Sequence, residues 1–133
     1  MLLVPTVVAP SPIAGMGLFL AADLPAGTVI WEFHPGVDCR FTADEVSAFP
    51  EPFQARLRHY LYQEEDGLYV LCGDNTRFMN HADDPTCAEF PDGRTFLRRD
   101  VQAGEELTID YHALDAETRA HGMQHDAPGA NTW

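Results

Sequence analysis

No side chain before Asp23 carries a charge, yet Pro5, Pro10 and Pro12 cut this apolar stretch so that no helix can run through it. An uncharged N-terminus that cannot be helical has to supply short strands, and Val7, Val8 and Leu18 to Ala21 read as buried strand pieces. Neither a signal peptide nor a membrane span is expected, since the basic segment that precedes a signal's apolar core is missing.

The rest of the chain is punctuated in the same way. Leu24-Pro25-Ala26-Gly27 is a turn signal, and the β-branched and aromatic run Thr28 to His34 reads as a strand. Thr42 followed by Glu45 is a capping-box pattern and predicts a short helix. Pro52 suits a first helical turn, and Phe53, Leu57 and Leu61 recur at helical spacing, which predicts a helix over residues 52 to 62. Gly67 to Cys72 reads as a strand, Pro91-Asp92-Gly93-Arg94 as a hairpin turn, Leu107 to Tyr111 as a last strand, and Ala113 to Ala120 as a helix. Many short strands with a few small helices predict an α+β fold that is mainly β. With 133 residues, one domain is expected over residues 1 to 121, followed by an irregular tail over 122 to 133.

Composition narrows the partners. The net charge of −13 disfavours nucleic acid, whose phosphates need a basic surface, and favours a basic partner such as an arginine- and lysine-rich peptide. Simple solubility is the plainer reading of the same charge. The cysteines, Cys39, Cys72 and Cys87, are odd in number and have no CxxC spacing, which fits a reduced, cytoplasmic setting better than a disulfide framework. His121 and His125 have chelating spacing, but Gly122 lies between them and no third ligand is evident, so no metal is expected.

Three runs carry chemistry. Ala14-Gly15-Met16-Gly17-Leu18-Phe19 offers two glycines that let the backbone approach a ligand, though alone it reads first as an ordinary turn between strands. It is not a dinucleotide fingerprint, because the third glycine is missing and a strand follows. Arg77-Phe78-Met79-Asn80-His81 would by itself be a turn end. Gly104-Glu105-Glu106-Leu107-Thr108-Ile109-Asp110-Tyr111 would by itself be a strand closing on a core tyrosine.

In this order and spacing the three runs resemble the signature motifs of SET-domain protein-lysine methyltransferases, in particular small single-domain members. The resemblance implies a β-clip-like fold of several small curved sheets with short helices and a C-terminal knot-like threading. It implies transfer of a methyl group from S-adenosyl-L-methionine to the ε-amine of a lysine in a protein substrate. It assigns cofactor contact to Ala14, Gly15, Met16, Gly17, Arg77, Phe78, Asn80 and His81. It assigns catalysis to the Tyr111 hydroxyl, which would orient the amine and polarise the transferring methyl. Free lysine titrates at about 10.4, so the site must lower that value by desolvation and by a nearby cation before the amine can attack.

The chain also departs from the family pattern. Ala82 and Asp83 stand where a serine and a cysteine are common, whereas Pro85 and Cys87 keep their places. Glu89 occupies a position where some relatives have a tyrosine. Phe33, Tyr60, Tyr62, Tyr69 and Phe90 are the remaining candidates for an aromatic channel, and Trp133 for a cover over the adenine. Glu105, Glu106 and Asp110 read as solvated or structural rather than as acid–base pairs. A cysteine-rich zinc segment is missing, so the tail or a second subunit would have to complete the substrate groove, and a homodimer is plausible on that ground. The alternative from another class is a non-catalytic peptide-binding module on the same fold. A small-molecule N-methyltransferase would differ only in its acceptor.

Overall fold

Short strands need neighbours from far along the chain, and here they are distributed over three small sheets. The structure is a computed structural model that describes residues 1 to 116. The strands are β1 (Thr6–Pro10), β2 (Met16–Leu20), β3 (Val29–Trp31), β4 (Cys39–Phe41), β5 (Tyr62–Gln63), β6 (Tyr69–Leu71), β7 (Asn80–His81), β8 (Cys87–Glu89), β9 (Thr95–Leu97) and β10 (Glu106–Ile109). The helices are α1 (Ala43–Ala48), α2 (Glu51–Leu57) and α3 (Tyr111–Leu114), and a 3-10 turn spans Asn75–Phe78. The sheet orders are β1-β2-β10-β7, β3-β9-β8 and β4-β6-β5. The mainly β, α+β expectation therefore holds.

The β1–β2 hairpin runs in register from Thr6 opposite Leu20 to Pro10 opposite Met16. Gly15, at φ 46°, closes it, and Ser11 N–H donates to the Gly15 carbonyl at 2.8 Å. Period-two alternation then sorts the faces. Leu18 and Leu20 are buried, whereas Val7 lies on the open side of the edge strand and is 54% exposed, so it is not the buried piece its neighbours suggest. β10 pairs antiparallel with β2 and parallel with β7. Between β7 and β10 the chain leaves to form the β8–β9 hairpin of another sheet, then returns beside β7. Leu18, Ile30, Val70, Leu97 and Leu107, each at 0% exposure, sit at the junction of the sheets. Burying each such side chain contributes about 1.5–3 kcal/mol.

Local signals set the helices, and tertiary pairing trims them. The Thr42 hydroxyl accepts from Glu45 N–H at 3.1 Å, and the Glu45 carboxylate accepts from Thr42 N–H at 3.0 Å, so the capping box forms. The helix expected over 52 to 62 ends at Leu57, its one buried residue. Tyr62 and Gln63 instead pair with Val70 and Tyr69 as β5. The expected Thr28–His34 strand shortens to Val29–Trp31, because at His34 the chain turns and its N–H is taken by the buried Asp38 carboxylate at 2.9 Å. The hairpin turn at 91 to 94 is present: Gly93 has φ 91°, and Phe90 N–H donates to the Arg94 carbonyl at 2.8 Å. The last strand stops at Ile109, and α3 begins at Tyr111, two residues before the expected Ala113. The Asp110 side chain makes that start possible by accepting from His112 N–H at 2.9 Å. No helix among the described residues is long and apolar enough to cross a membrane. Residues 117 to 133, with His121, His125 and Trp133, lie outside the described residues.

Candidate functional site

The three sequence runs meet at one buried amide. The 3-10 turn carrying Arg77 and Phe78 starts on Asp74, whose side chain accepts from Thr76 N–H at 3.0 Å, and it delivers Asn80 to the parallel edge of β10. Asn80 is 0% exposed. Its Nδ2 shares its two protons among the Ala14 carbonyl at 3.1 Å, the Met16 carbonyl at 3.3 Å and Glu106 Oε2 at 3.0 Å. Glu106 Oε1 accepts in turn from the Ser11 hydroxyl at 2.7 Å. Gly17 permits a close approach here: a Cβ at that position would stand 2.8 Å from Glu106 Oε2 and displace the carboxylate. Asn80 Oδ1 is buried and has no partner among the described residues. A buried acceptor left open is costly in a finished core and is suited to a donor that arrives from outside.

Tyr111 stands on the other side of β7. It is 6% exposed, and its hydroxyl donates to the Met79 carbonyl. Its backbone N–H donates to His81 Nδ1 at 3.0 Å, and the two rings lie 5.3 Å apart. Burial, and secondarily the Glu106 carboxylate, push the phenol well above the usual tyrosine value. At neutral pH it is therefore a hydrogen-bonding dipole and not a base. Its hydroxyl proton points at the Met79 carbonyl. The Met79 carbonyl has no signature in a sequence, since it belongs to the backbone.

Beside α3 lies a cavity of about 280 Å³ whose lining includes Asp83, Cys87, Glu89, Ile109, Asp110 and Leu114. Glu89 is part of this lining; partial burial there and the nearby Glu64 and Asp92 push its carboxyl up to about 7. Arg98, also in the lining, is engaged by Asp84 at 3.2 Å and by the Pro85 carbonyl at 2.8 Å. Burial raises the Cys87 thiol to about 11, so it stays neutral and unreactive.

The other candidates separate. Arg77 and Phe78 pack with Tyr60: the guanidinium is 5.5 Å from the Tyr60 ring and 5.6 Å from the Phe78 ring. They brace the turn and do not join the Asn80 network. Tyr62 is half-buried against the core, and burial raises its phenol strongly. Phe90 stacks on Phe96 at 4.2 Å and Phe33 lies under the Arg40 guanidinium at 3.7 Å, so both rings are engaged in the sheets. Glu105 accepts from Gln102 N–H at 2.6 Å and pairs with Arg99 at 3.2 Å, while Asp110 caps α3. Glu106 matters more than its motif position suggests, because it orients Asn80. Among the described residues no group of three or more His, Cys, Asp or Glu is placed to hold a metal.

Comparison with known proteins agrees with this geometry. The SET domain family profile matches residues 15–112. The chain is 34% identical over 113 residues to a histone-lysine N-methyltransferase, H3 lysine-4 specific, of Mycosarcoma maydis, covering 77% of this chain and 8% of that protein. It is 30% identical over 137 residues to the histone-lysine N-methyltransferase trr of Drosophila melanogaster, covering 92% of this chain and 5% of that protein. It thus spans less than a tenth of the length of these relatives. Among solved structures, an apo ctPRC2 carrying mutations in Ezh2 superposes with a TM-score of 0.66 at 23% identity, over 88% of this chain and 16% of that one. A humanized mutant of the Chaetomium thermophilum Polycomb Repressive Complex 2, bound to an inhibitor, superposes with a TM-score of 0.63 at 25% identity, over 87% and 16%. With the three runs gathered around Asn80 and the profile spanning them from Gly15 to His112, the chain belongs to the SET-domain family.

Proposed function

We propose that this chain transfers a methyl group from S-adenosylmethionine to the ε-amine of a lysine in a basic protein substrate. The observation that carries the reading is the Tyr111 phenol, buried and held protonated on the Met79 carbonyl, next to a turn whose Asn80 keeps a buried acceptor open. The histone-lysine methyltransferase names of the two relatives support the acceptor class.

The residues present fit the cofactor. Asn80 Oδ1 suits the ammonium of its amino-acid end, and His81 and the Ala14–Gly17 turn lie beside it. Asn80 Nδ2, however, is already committed within the fold. Bound there, S-adenosylmethionine would supply an electrophilic methyl on a cationic sulfur. The chain's own part is alignment and exclusion of water. The Tyr111 hydroxyl, fixed by the Met79 carbonyl, orients the incoming amine so that the nitrogen lone pair faces the methyl. The buried surroundings favour the neutral amine over the ammonium. The acids lining the cavity, Asp83, Glu89 and Asp110, and the net charge of −13 support a basic substrate. Self-association to complete the substrate groove is a further part of the reading, and sedimentation that finds only monomer at assay concentration would remove it.

Calorimetric titration with S-adenosylmethionine, followed by labelled-methyl transfer into a lysine-rich protein, tests the proposal. Binding together with transfer that disappears in Tyr111→Phe is the expected result. Absence of binding would favour a peptide-binding module, which the commitment of Asn80 Nδ2 to the fold would suit.

A further inference from the structure

The His81 ring holds Tyr111 by its backbone, and the direction of that hydrogen bond fixes the ring's chemistry. Tyr111 N–H donates to His81 Nδ1 at 3.0 Å, so Nδ1 carries a lone pair. The proton of the neutral ring therefore sits on Nε2, and Nε2 faces Asp83 Oδ1 at 2.9 Å. The opposite tautomer would set two protons head to head at Tyr111. Its Nδ1–H would be drawn instead to Asp110 Oδ1, now 3.8 Å away. Asp110 is already in use as the cap of α3, accepting from His112 N–H at 2.9 Å. One proton position thus decides two things: whether the first N–H of α3 has an acceptor, and whether the helix keeps its cap.

We propose that His81 is a positioning residue for Tyr111 and that Asp83 locks it in the Nε2–H tautomer, so that the phenol is aimed by the Met79–His81 segment from both ends. At one end the Met79 carbonyl takes the hydroxyl proton, and at the other His81 takes the backbone N–H. Asp83 stands where a cysteine is common in the family pattern, and a thiol would be a weak acceptor for Nε2–H. The departure at this position thereby gains a role in the site. Asp83 is almost wholly exposed and His81 only 13% exposed by side chain, so the carboxylate works from the solvent edge on a mostly sheltered ring. The inference rests on the methyltransferase reading for its kinetic consequence, but not for its spectroscopic one.

The test reads the ring nitrogens by NMR on protein with 15N-labelled histidine, alongside kcat and the KM for S-adenosylmethionine. The wild-type His81 ring is expected to carry its proton on Nε2. Asp83→Ala should mix the tautomers and lower kcat several-fold, with the KM for S-adenosylmethionine held within about two-fold. Asp83→Asn keeps an acceptor oxygen and should restore both. A wild-type ring protonated on Nδ1, an Asp83→Ala protein with an unchanged tautomer, or one with wild-type kcat would each overturn the proposal. Should the wild-type protein transfer no methyl at all, the proposed function fails, and the tautomer alone still decides the lock.

Discussion

The four-stranded sheet and the α1–α2 pair are built by opposite means. In the sheet, buried polar groups tie together residues far apart in sequence. Asn80 reaches Ala14, Met16 and Glu106, and Thr86 and Thr108 exchange backbone-to-hydroxyl bonds at 3.0 and 2.9 Å. The helix pair is held by near neighbours. Nothing in α1 is buried, α2 buries only Leu57, and Phe53 is 46% exposed. Gln54 bridges the two helices through the Ser47 and Phe49 carbonyls at 3.1 and 2.7 Å, and Phe49 packs edge-on between Phe41 and Phe53. The contrast shows where function can reside. A region assembled from local preferences tolerates change one residue at a time, whereas one assembled from shared buried donors concentrates geometry, and therefore chemistry, at a few atoms.

The largest effect should come from the sheet region's phenol. Tyr111→Phe is expected to lower methyl transfer by about 10²–10³-fold while leaving S-adenosylmethionine binding in calorimetry, since one oriented dipole is lost in a dry site. Near-wild-type transfer by this variant would erase the functional difference between the regions. Next, Asn80→Ala leaves the Ala14 and Met16 carbonyls and the Glu106 carboxylate without their donor. Urea denaturation should register a loss of about 3 kcal/mol. A smaller, purely local cost is expected on the other side of the comparison. Thr42→Ala removes one half of the α1 capping box and should cost about 1 kcal/mol, with methyl transfer unchanged. If it impaired transfer as much as Tyr111→Phe does, the two regions would not be separable.

The smallest effect has a sign set by pH. The Glu89 carboxyl is pushed up to about 7 in the folded chain, so between its ordinary value of 4.5 and about 7 the folded state holds this proton more tightly than the unfolded one. Stability therefore declines as pH rises through that window. Glu89→Gln should raise the melting temperature slightly at about pH 8 and leave it unchanged at about pH 4. A gain of equal size at both would show that the Glu89 charge is not the cause.

Legibility followed the same division. The capping box, the Gly93 turn and the strand pieces of β2 and β10 could be read locally because each depends on its own few residues. The end of α2 could not, since the spacing of Phe53, Leu57 and Leu61 continues while the pairing of Tyr62 with Val70 stops the helix. Nor could the exposure of Val7, which follows from β1 being an edge strand, or the start of α3 at Tyr111.

Order along the chain set the short-element architecture and the three runs that had to come together, because turn residues, caps and motif order are encoded next to one another. Folding in three dimensions was needed to settle that Glu106 orients Asn80, that the Met79 carbonyl holds the phenol, and that His81 accepts from Tyr111. Those bonds join residues remote in the chain, two of them through backbone atoms, and no residue identity announces which partner a buried donor will find.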